Sequence, residues 1–291
     1  MRNNPFRGVT TAMITPFRSD GSVDFDGLRK NTRHQLDNGI IGLLPLGTTG
    51  ETPTLSEEEK EKIVRIVVEE ADGKVPVMVG VGTNSTEKTI KNAGQAKAWG
   101  ADALLVVTPY YNKPTQEGII AHFHTVCDAT DLPVVVYNIQ GRTGTNIETN
   151  TLKSVAEKKN IIAVKEASGN IHQMTDVLEQ IPEIAVYSGD DGMTFPLICL
   201  GGQGVISVVS NLLPGLVVEM VSECLAGNMA QARQLHFKLL PLFKAAFIET
   251  NPCPVKYAMG QLGLAGGPVR LPLVEIKESS KKVIDSVLKN Y

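Results

Sequence analysis

What this chain lacks narrows the reading first. Its four cysteines, Cys127, Cys199, Cys224 and Cys253, stand far apart in mostly apolar surroundings without a C-x-x-C pair. That spacing reads as reduced, buried thiols in a cytoplasmic protein. No basic block interrupts the mixed charges, which sum to -3, so neither nucleic acid nor an anionic membrane is indicated as a partner. The most apolar long run, Val205–Val221, is broken by Ser207, Ser210, Asn211, Pro214 and Glu219, which is no pattern for a membrane span. The opening Met1–Arg7 leads into a strand-like segment without an apolar signal core, and a cytoplasmic location is the expectation. Metal-binding patterns are missing as well. His122 and His124 are two apart, on different faces of a helix, the other histidines are scattered, and no metal is expected. Gly189-Asp190-Asp191-Gly192 suits a helix cap better than a cation. Gly201-Gly202-Gln203-Gly204 lacks the strand-then-helix setting of a dinucleotide fingerprint.

What remains is a chain of 291 residues, 42% hydrophobic, with enough apolar content for a large core. Short β-branched runs recur at Val9–Ile14, Ile41–Leu46, Pro76–Val81, Ala103–Thr108, Pro133–Asn138, Ile161–Glu166, Ala185–Ser188 and Gly204–Val208. Helix-period segments lie between them, at Ser56–Ala71, Ser85–Trp99, Thr115–Ala129, Glu148–Lys158 and Ile171–Gln180. The first opens with Ser56 and Glu59 in capping-box spacing and carries Ile63, Ile66 and Val67 as its buried stripe. Strands apolar on both faces, each followed by a helix, are the mark of parallel βα units. Eight of them predict a (β/α)8 TIM barrel. After about Leu225 no strand-like run follows; Met229–Phe247, Pro254–Leu262 and Leu273–Leu288 read as helices. The expected organisation is a catalytic barrel over residues 1–225 and a C-terminal helical appendage over 226–291.

Lys165 is the anomaly within this pattern, a charged residue inside the apolar run Ile161–Glu166. If alternate side chains share a face, Ile161, Ala163, Lys165 and Ala167 point together, and the alanines leave room beside the amine. Burial there disfavours the ammonium and frees a lone pair for attack on a ketone, as Schiff-base chemistry requires. The alternative is a lysine that reaches out at the strand end or pairs with a carboxylate. Barrel sites form at the C-terminal ends of strands. Tyr137 ends the fifth run and would point inward beside the lysine, where a phenol can pass protons; a core tyrosine bonded to a carbonyl is the other reading. Gly47-Thr48-Thr49-Gly50-Glu51 offers two hydroxyls and exposed N–H groups suited to a carboxylate, and no Gly-Lys-Ser/Thr follows it. Tyr110 and Tyr111 are adjacent and point in different directions, so one could complete a site while the other packs at an interface. Arg142, in Gly141-Arg142-Thr143-Gly144, suits bidentate capture of a carboxylate at the barrel mouth, or is a solvated loop arginine.

Together these motifs resemble the dihydrodipicolinate synthase family, within the N-acetylneuraminate lyase superfamily of class I aldolases. The similarity runs through Gly47–Glu51, Thr108–Asn112, Tyr137-Asn138 with Gly141–Gly144, Val164–Ala167, Ser188–Asp191, Gly204–Ser207 and Asn251–Lys256. The resemblance implies a lyase of lysine and diaminopimelate biosynthesis that joins pyruvate to aspartate semialdehyde. It implies that Lys165 forms the Schiff base, that Tyr137, Thr48 and Tyr111 relay protons, and that the tyrosine matching Tyr111 is reached across a subunit interface. It further implies that Thr48 and Thr49 hold the pyruvate carboxylate, that the Gly189 and Ile206 main chain lines the pocket, and that Arg142 receives the carboxylate of the semialdehyde. No cofactor and no metal are implied, and the assembly expected is a homotetramer, a dimer of dimers. Sugar-acid and sialic-acid aldolases of the same superfamily are the alternative; they share the lysine and tyrosine and should not need Arg142. A third alternative, a catalytically dead metabolite-binding homologue, would be expected to have lost the lysine or the tyrosine. Two departures stand out. Gln140 occupies a position where proline is commoner, so the loop bearing Arg142 loses a φ-fixing residue. Glu57, Lys60 and Lys88 stand where lysine-inhibited members carry histidines and an acidic residue, with Asn84 and Tyr110 retained, so weak or absent lysine feedback is expected.

Overall fold

The structure, a computed structural model, describes residue 2 and residues 4–291; the expectation about the opening Met1–Arg7 falls partly outside them. Eight parallel strands form the barrel: β1 Gly8–Ala12, β2 Gly42–Leu44, β3 Met78–Gly80, β4 Ala103–Val107, β5 Val134–Asn138, β6 Ile161–Glu166, β7 Ala185–Ser188 and β8 Gly204–Ser207. Their order is β2-β1-β8-β7-β6-β5-β4-β3. The seam between β2 and β3 is closed by a parallel bridge from Leu43 to Val77 and by Gly80 N–H donating to the Pro45 carbonyl at 3.2 Å. Every expected strand is present, most of them shorter than the apolar run that marked it. The barrel helices are α1 Phe25–Asp37, α2 Glu57–Ala71, α3 Thr86–Ala98, α4 Gln116–Asp128, the single turn α5 Gln140–Thr143, α6 Thr149–Val155, α7 Ile171–Gln180, α8 Thr194–Cys199 and α9 Pro214–Leu225. Three more follow, α10 Met229–Ala245, α11 Cys253–Gln261 and α12 Glu278–Leu288. Among the described residues no helix is long and apolar enough to cross a membrane.

Alternation along the strands divides the core into two layers. Leu44, Met78, Ala103, Leu105, Val135, Ala163, Ala185 and Ile206 fill the barrel, while Leu43, Val79, Leu104, Val106, Val136, Val164, Val186 and Val205 pack under the helices. The capping box on α2 forms as the sequence predicts. Glu59 N–H donates to Ser56 Oγ at 3.2 Å and Ser56 N–H to Glu59 Oε2 at 2.9 Å.

Two expectations need correction. Ile161 does not share the inner face of β6; it packs in the outer layer and Ile162 in the inner one. A register shift opposite Val134 and Val135 inserts a residue there and resets the alternation before Ala163 and Lys165. The last helix starts at Glu278 rather than Leu273, because Lys277 N–H is drawn to Glu249 Oε1 at 2.9 Å and the approach to it is extended. Helix α1 was not evident in the sequence, because its buried face holds Gly27, Asn31, Thr32 and Gln35 beside Leu28 and so has no apolar stripe.

Candidate active site

Strand pairing places Tyr137 of β5 directly opposite Lys165 of β6. Lys165 is 5% exposed, and its Nζ lies 4.2 Å from the centroid of the Tyr137 ring. Among the described residues no carboxylate lies within ion-pairing distance of it. Burial pushes the amine down to about 7; the positive charge of Arg142 adds to this and Asp191 opposes it. Space beside the amine depends on Gly189, where a Cβ would stand 3.0 Å from Lys165 Cε and 2.7 Å from Ala167 Cβ. Ile206 on β8, two strands away, belongs to the same inner layer. The Tyr137 phenol is pushed up to about 12 by burial, with Arg142 and the Thr48 hydroxyl pulling the other way. It therefore holds its proton at neutral pH and can donate it to a developing alkoxide or hydroxide.

The turn after β2 is a single 3-10 turn over Thr48–Gly50. Thr48 faces the cavity and Thr49 is buried, its Oγ1 accepting from Asn251 Nδ2 at 3.0 Å. Glu51 ends the turn at φ +53, a left-handed backbone that is costly for a glutamate. Its carboxylate accounts for it, accepting from Lys256 Nζ at 2.7 Å and from Arg270 N–H at 2.9 Å. Arg142 lies on α5, whose turn is closed by Thr143 N–H donating to the Ile139 carbonyl at 3.0 Å. Gly144 ends it at φ +72. Those contacts fix the turn with Gln140 as its first residue, so proline is not required to bring Arg142 to the cavity.

A cavity of about 300 Å³ opens over this group, with Thr48, Tyr110, Tyr137, Arg142 and Thr143 in its wall. It extends sideways across the β2–β3 seam to Lys60, which is ion-paired with Glu57 at 2.8 Å. Of the candidates, Thr48, Tyr137 and Arg142 are in the cavity wall, whereas Lys165, Thr49, Gly189 and Ile206 lie behind it, buried or packed against the lysine, and Tyr111 stands apart from the group. It is 88% exposed, at φ +74, on a loop tied down by Asn112 Nδ2 donating to the Asn84 carbonyl.

Sequence reasoning assigned no role to three neighbours of the site. Asp191 is buried and accepts from Ser207 Oγ and from the N–H groups of Val208 and Val209 at 3.0 and 3.3 Å. Burial holds its carboxyl up at about 6 against those bonds. Asp190 does cap a turn, accepting from Gly192 N–H at 2.8 Å. Asn251 and Lys256 come from the C-terminal segment, and only their place in the Asn251–Lys256 motif signalled them. Among the described residues no group of three or more His, Cys, Asp or Glu side chains is arranged to hold a metal.

A buried amine beside a phenol at the C-terminal mouth of a parallel barrel defines the class, a (β/α)8 barrel protein with a site suited to Schiff-base chemistry. The model of the dihydrodipicolinate synthetase family matches residues 5–291, and the chain belongs to that family. It is 49% identical to the 4-hydroxy-tetrahydrodipicolinate synthase of Methanocaldococcus jannaschii, over 98% of each chain. Among solved structures it superposes on dihydrodipicolinate synthase from Thermotoga maritima with a TM-score of 0.96, at 47% identity and over 98% of each chain. A monomeric dihydrodipicolinate synthase variant superposes with a TM-score of 0.95, at 47% identity and over 98% of this chain and 96% of that one.

Proposed function

We propose that this chain is a 4-hydroxy-tetrahydrodipicolinate synthase of lysine and diaminopimelate biosynthesis, condensing pyruvate with L-aspartate 4-semialdehyde. The observation that carries the chemistry is the buried Lys165 amine, which has no carboxylate partner among the described residues. Its lone pair attacks the pyruvate ketone, Tyr137 protonates the departing hydroxyl, and water leaves to give the imine. Loss of a methyl proton gives an enamine, whose carbon attacks the aldehyde. The amino group of the semialdehyde then attacks the former ketone carbon, closes the ring and displaces Lys165. Thr48 and Thr49 hold the pyruvate carboxylate, with main chain at Gly189 and Ile206 lining its pocket, and Arg142 takes the carboxylate of the second substrate. Thr48 and Tyr111 extend the proton relay, with Tyr111 entering from a neighbouring subunit; its exposure in the single chain supports that role.

The assembly we assign is a homotetramer, a dimer of dimers, in the cytoplasm. The catalytic unit is residues 1–225 and the helical domain 226–291. The reaction as written requires no metal or other cofactor. Lys60 at the side of the cavity opposes a cationic effector, so lysine feedback is weak or absent.

The test is the initial rate with both substrates, read through reduction of the cyclic product, for the wild type and Arg142→Ala. A good wild-type rate that collapses by about 10²-fold or more in the variant is expected from loss of a charged carboxylate contact. A wild type that traps pyruvate but makes no product would redirect the assignment to sugar-acid cleavage.

A further inference from the structure

Asn251 lies where the C-terminal helices meet the barrel mouth, two residues before α11, and is 5% exposed. Its Nδ2 donates to Thr49 Oγ1 at 3.0 Å, and its main-chain carbonyl accepts from Arg142 Nη2 at 3.4 Å. One residue therefore touches both groups assigned above to the two substrate carboxylates. The other amide atom, Oδ1, is buried and accepts no hydrogen bond from any described residue. An unpaired buried acceptor is unfavourable, so the amide is not placed for its own satisfaction. What it completes is Thr49. A threonine hydroxyl has one proton to give. With Nδ2 donating to its oxygen, that proton is free for a carboxylate.

We propose that Asn251 is a positioning residue that aims the Thr49 hydroxyl at the pyruvate carboxylate and, through its carbonyl, holds Arg142 at a set distance from it. The proposal rests on the synthase reading and adds the C-terminal segment to its binding apparatus. The same segment grips the turn a second time, because Lys256 pairs with Glu51 at 2.7 Å, two residues beyond Thr49. The spacing of the two anion holders is thereby fixed from outside the barrel.

The experiment measures KM for each substrate in the wild type, Asn251→Ala and Asn251→Asp, with half-saturation by pyruvate read independently by borohydride trapping. In Asn251→Ala the pyruvate KM rises about tenfold, as for one lost hydrogen bond between neutral groups. The semialdehyde KM changes much less, because the main-chain carbonyl survives. Aspartate can only accept, so it takes the threonine proton and sets a charge beside the carboxylate. Asn251→Asp is therefore worse for pyruvate than Asn251→Ala. A residue that merely filled space would give the reverse order, since aspartate is nearly isosteric. Equal or reversed order in folded variants overturns the proposal. If Asn251→Ala does not fold, a wild-type pyruvate KM in Asn251→Asp overturns it equally. A double substitution Asn251→Ala with Thr49→Val should be no worse than Thr49→Val alone, and additive losses would also overturn it. A wild type that traps pyruvate but never condenses it defeats the synthase reading instead, and the trapping data still decide the role of Asn251.

Discussion

Two lysines are buried among the described residues, Lys165 in the barrel and Lys256 on α11, and each sits 4.2 Å from the centroid of an aromatic ring, Tyr137 and Phe17 respectively. Their fates differ because of what else is in reach. Lys256 donates to Glu51 at 2.7 Å and to the Thr15 carbonyl at 3.0 Å. Burial pushes its ammonium down and Glu51 pushes back. Lys165 has the ring and, among the described residues, no acceptor, and burial takes its amine to about 7. Burial alone makes neither a nucleophile nor a strut. The carboxylate decides, holding the charge in one case and, by its absence, releasing a lone pair in the other.

The most severe way to break the contrast is Lys165→Met. Pyruvate with borohydride then leaves no adduct, and condensation falls to background, while the melting temperature holds or rises because a buried amine has become apolar. An adduct on the methionine variant would place the Schiff base elsewhere. Lys256→Met should do the opposite, costing about 3–5 kcal/mol of stability by stranding Glu51. Urea unfolding reads this, and adding Glu51→Gln should restore much of it. A single-variant loss below about 1 kcal/mol would mean that the pair is not what holds the turn.

The smallest effect is in pH. With the amine at about 7, its neutral fraction climbs from about a tenth at pH 6 to about nine-tenths at pH 8. The trapping rate with dilute pyruvate should rise about ninefold over that interval and flatten above it. Folding follows the same sign. Between about 7 and the ordinary value of 10.5 the unfolded chain binds the extra proton, so stability contributed at Lys165 rises with pH across that window and is lowest below it. In Lys165→Met this rise disappears, and an unchanged slope would contradict the assignment.

The sequence showed Lys165 because an ammonium in an apolar run is a visible anomaly, and Tyr137 because a strand end with period-two alternation points it inward. The barrel was visible because parallel strands are apolar on both faces. Helix α1 was hidden by its polar buried face, and the place of Ile161 by a bulge that no local pattern announces. Asn251, Lys256 and Asp191 owe their placement to contacts across the fold, and nothing in the spacing of a motif says which turn it will touch.

The hydrogen bond from Asn251 to Thr49 joins residues 202 apart in the chain. Closing so long a loop carries an entropic cost that grows only slowly with length, but the contact can form only after the strands between have already been ordered. The contact that sets the Thr49 hydroxyl therefore forms only once residue 251 has been made and docked. During refolding, full affinity at Thr49 should lag behind formation of the barrel by the time the C-terminal segment takes to dock.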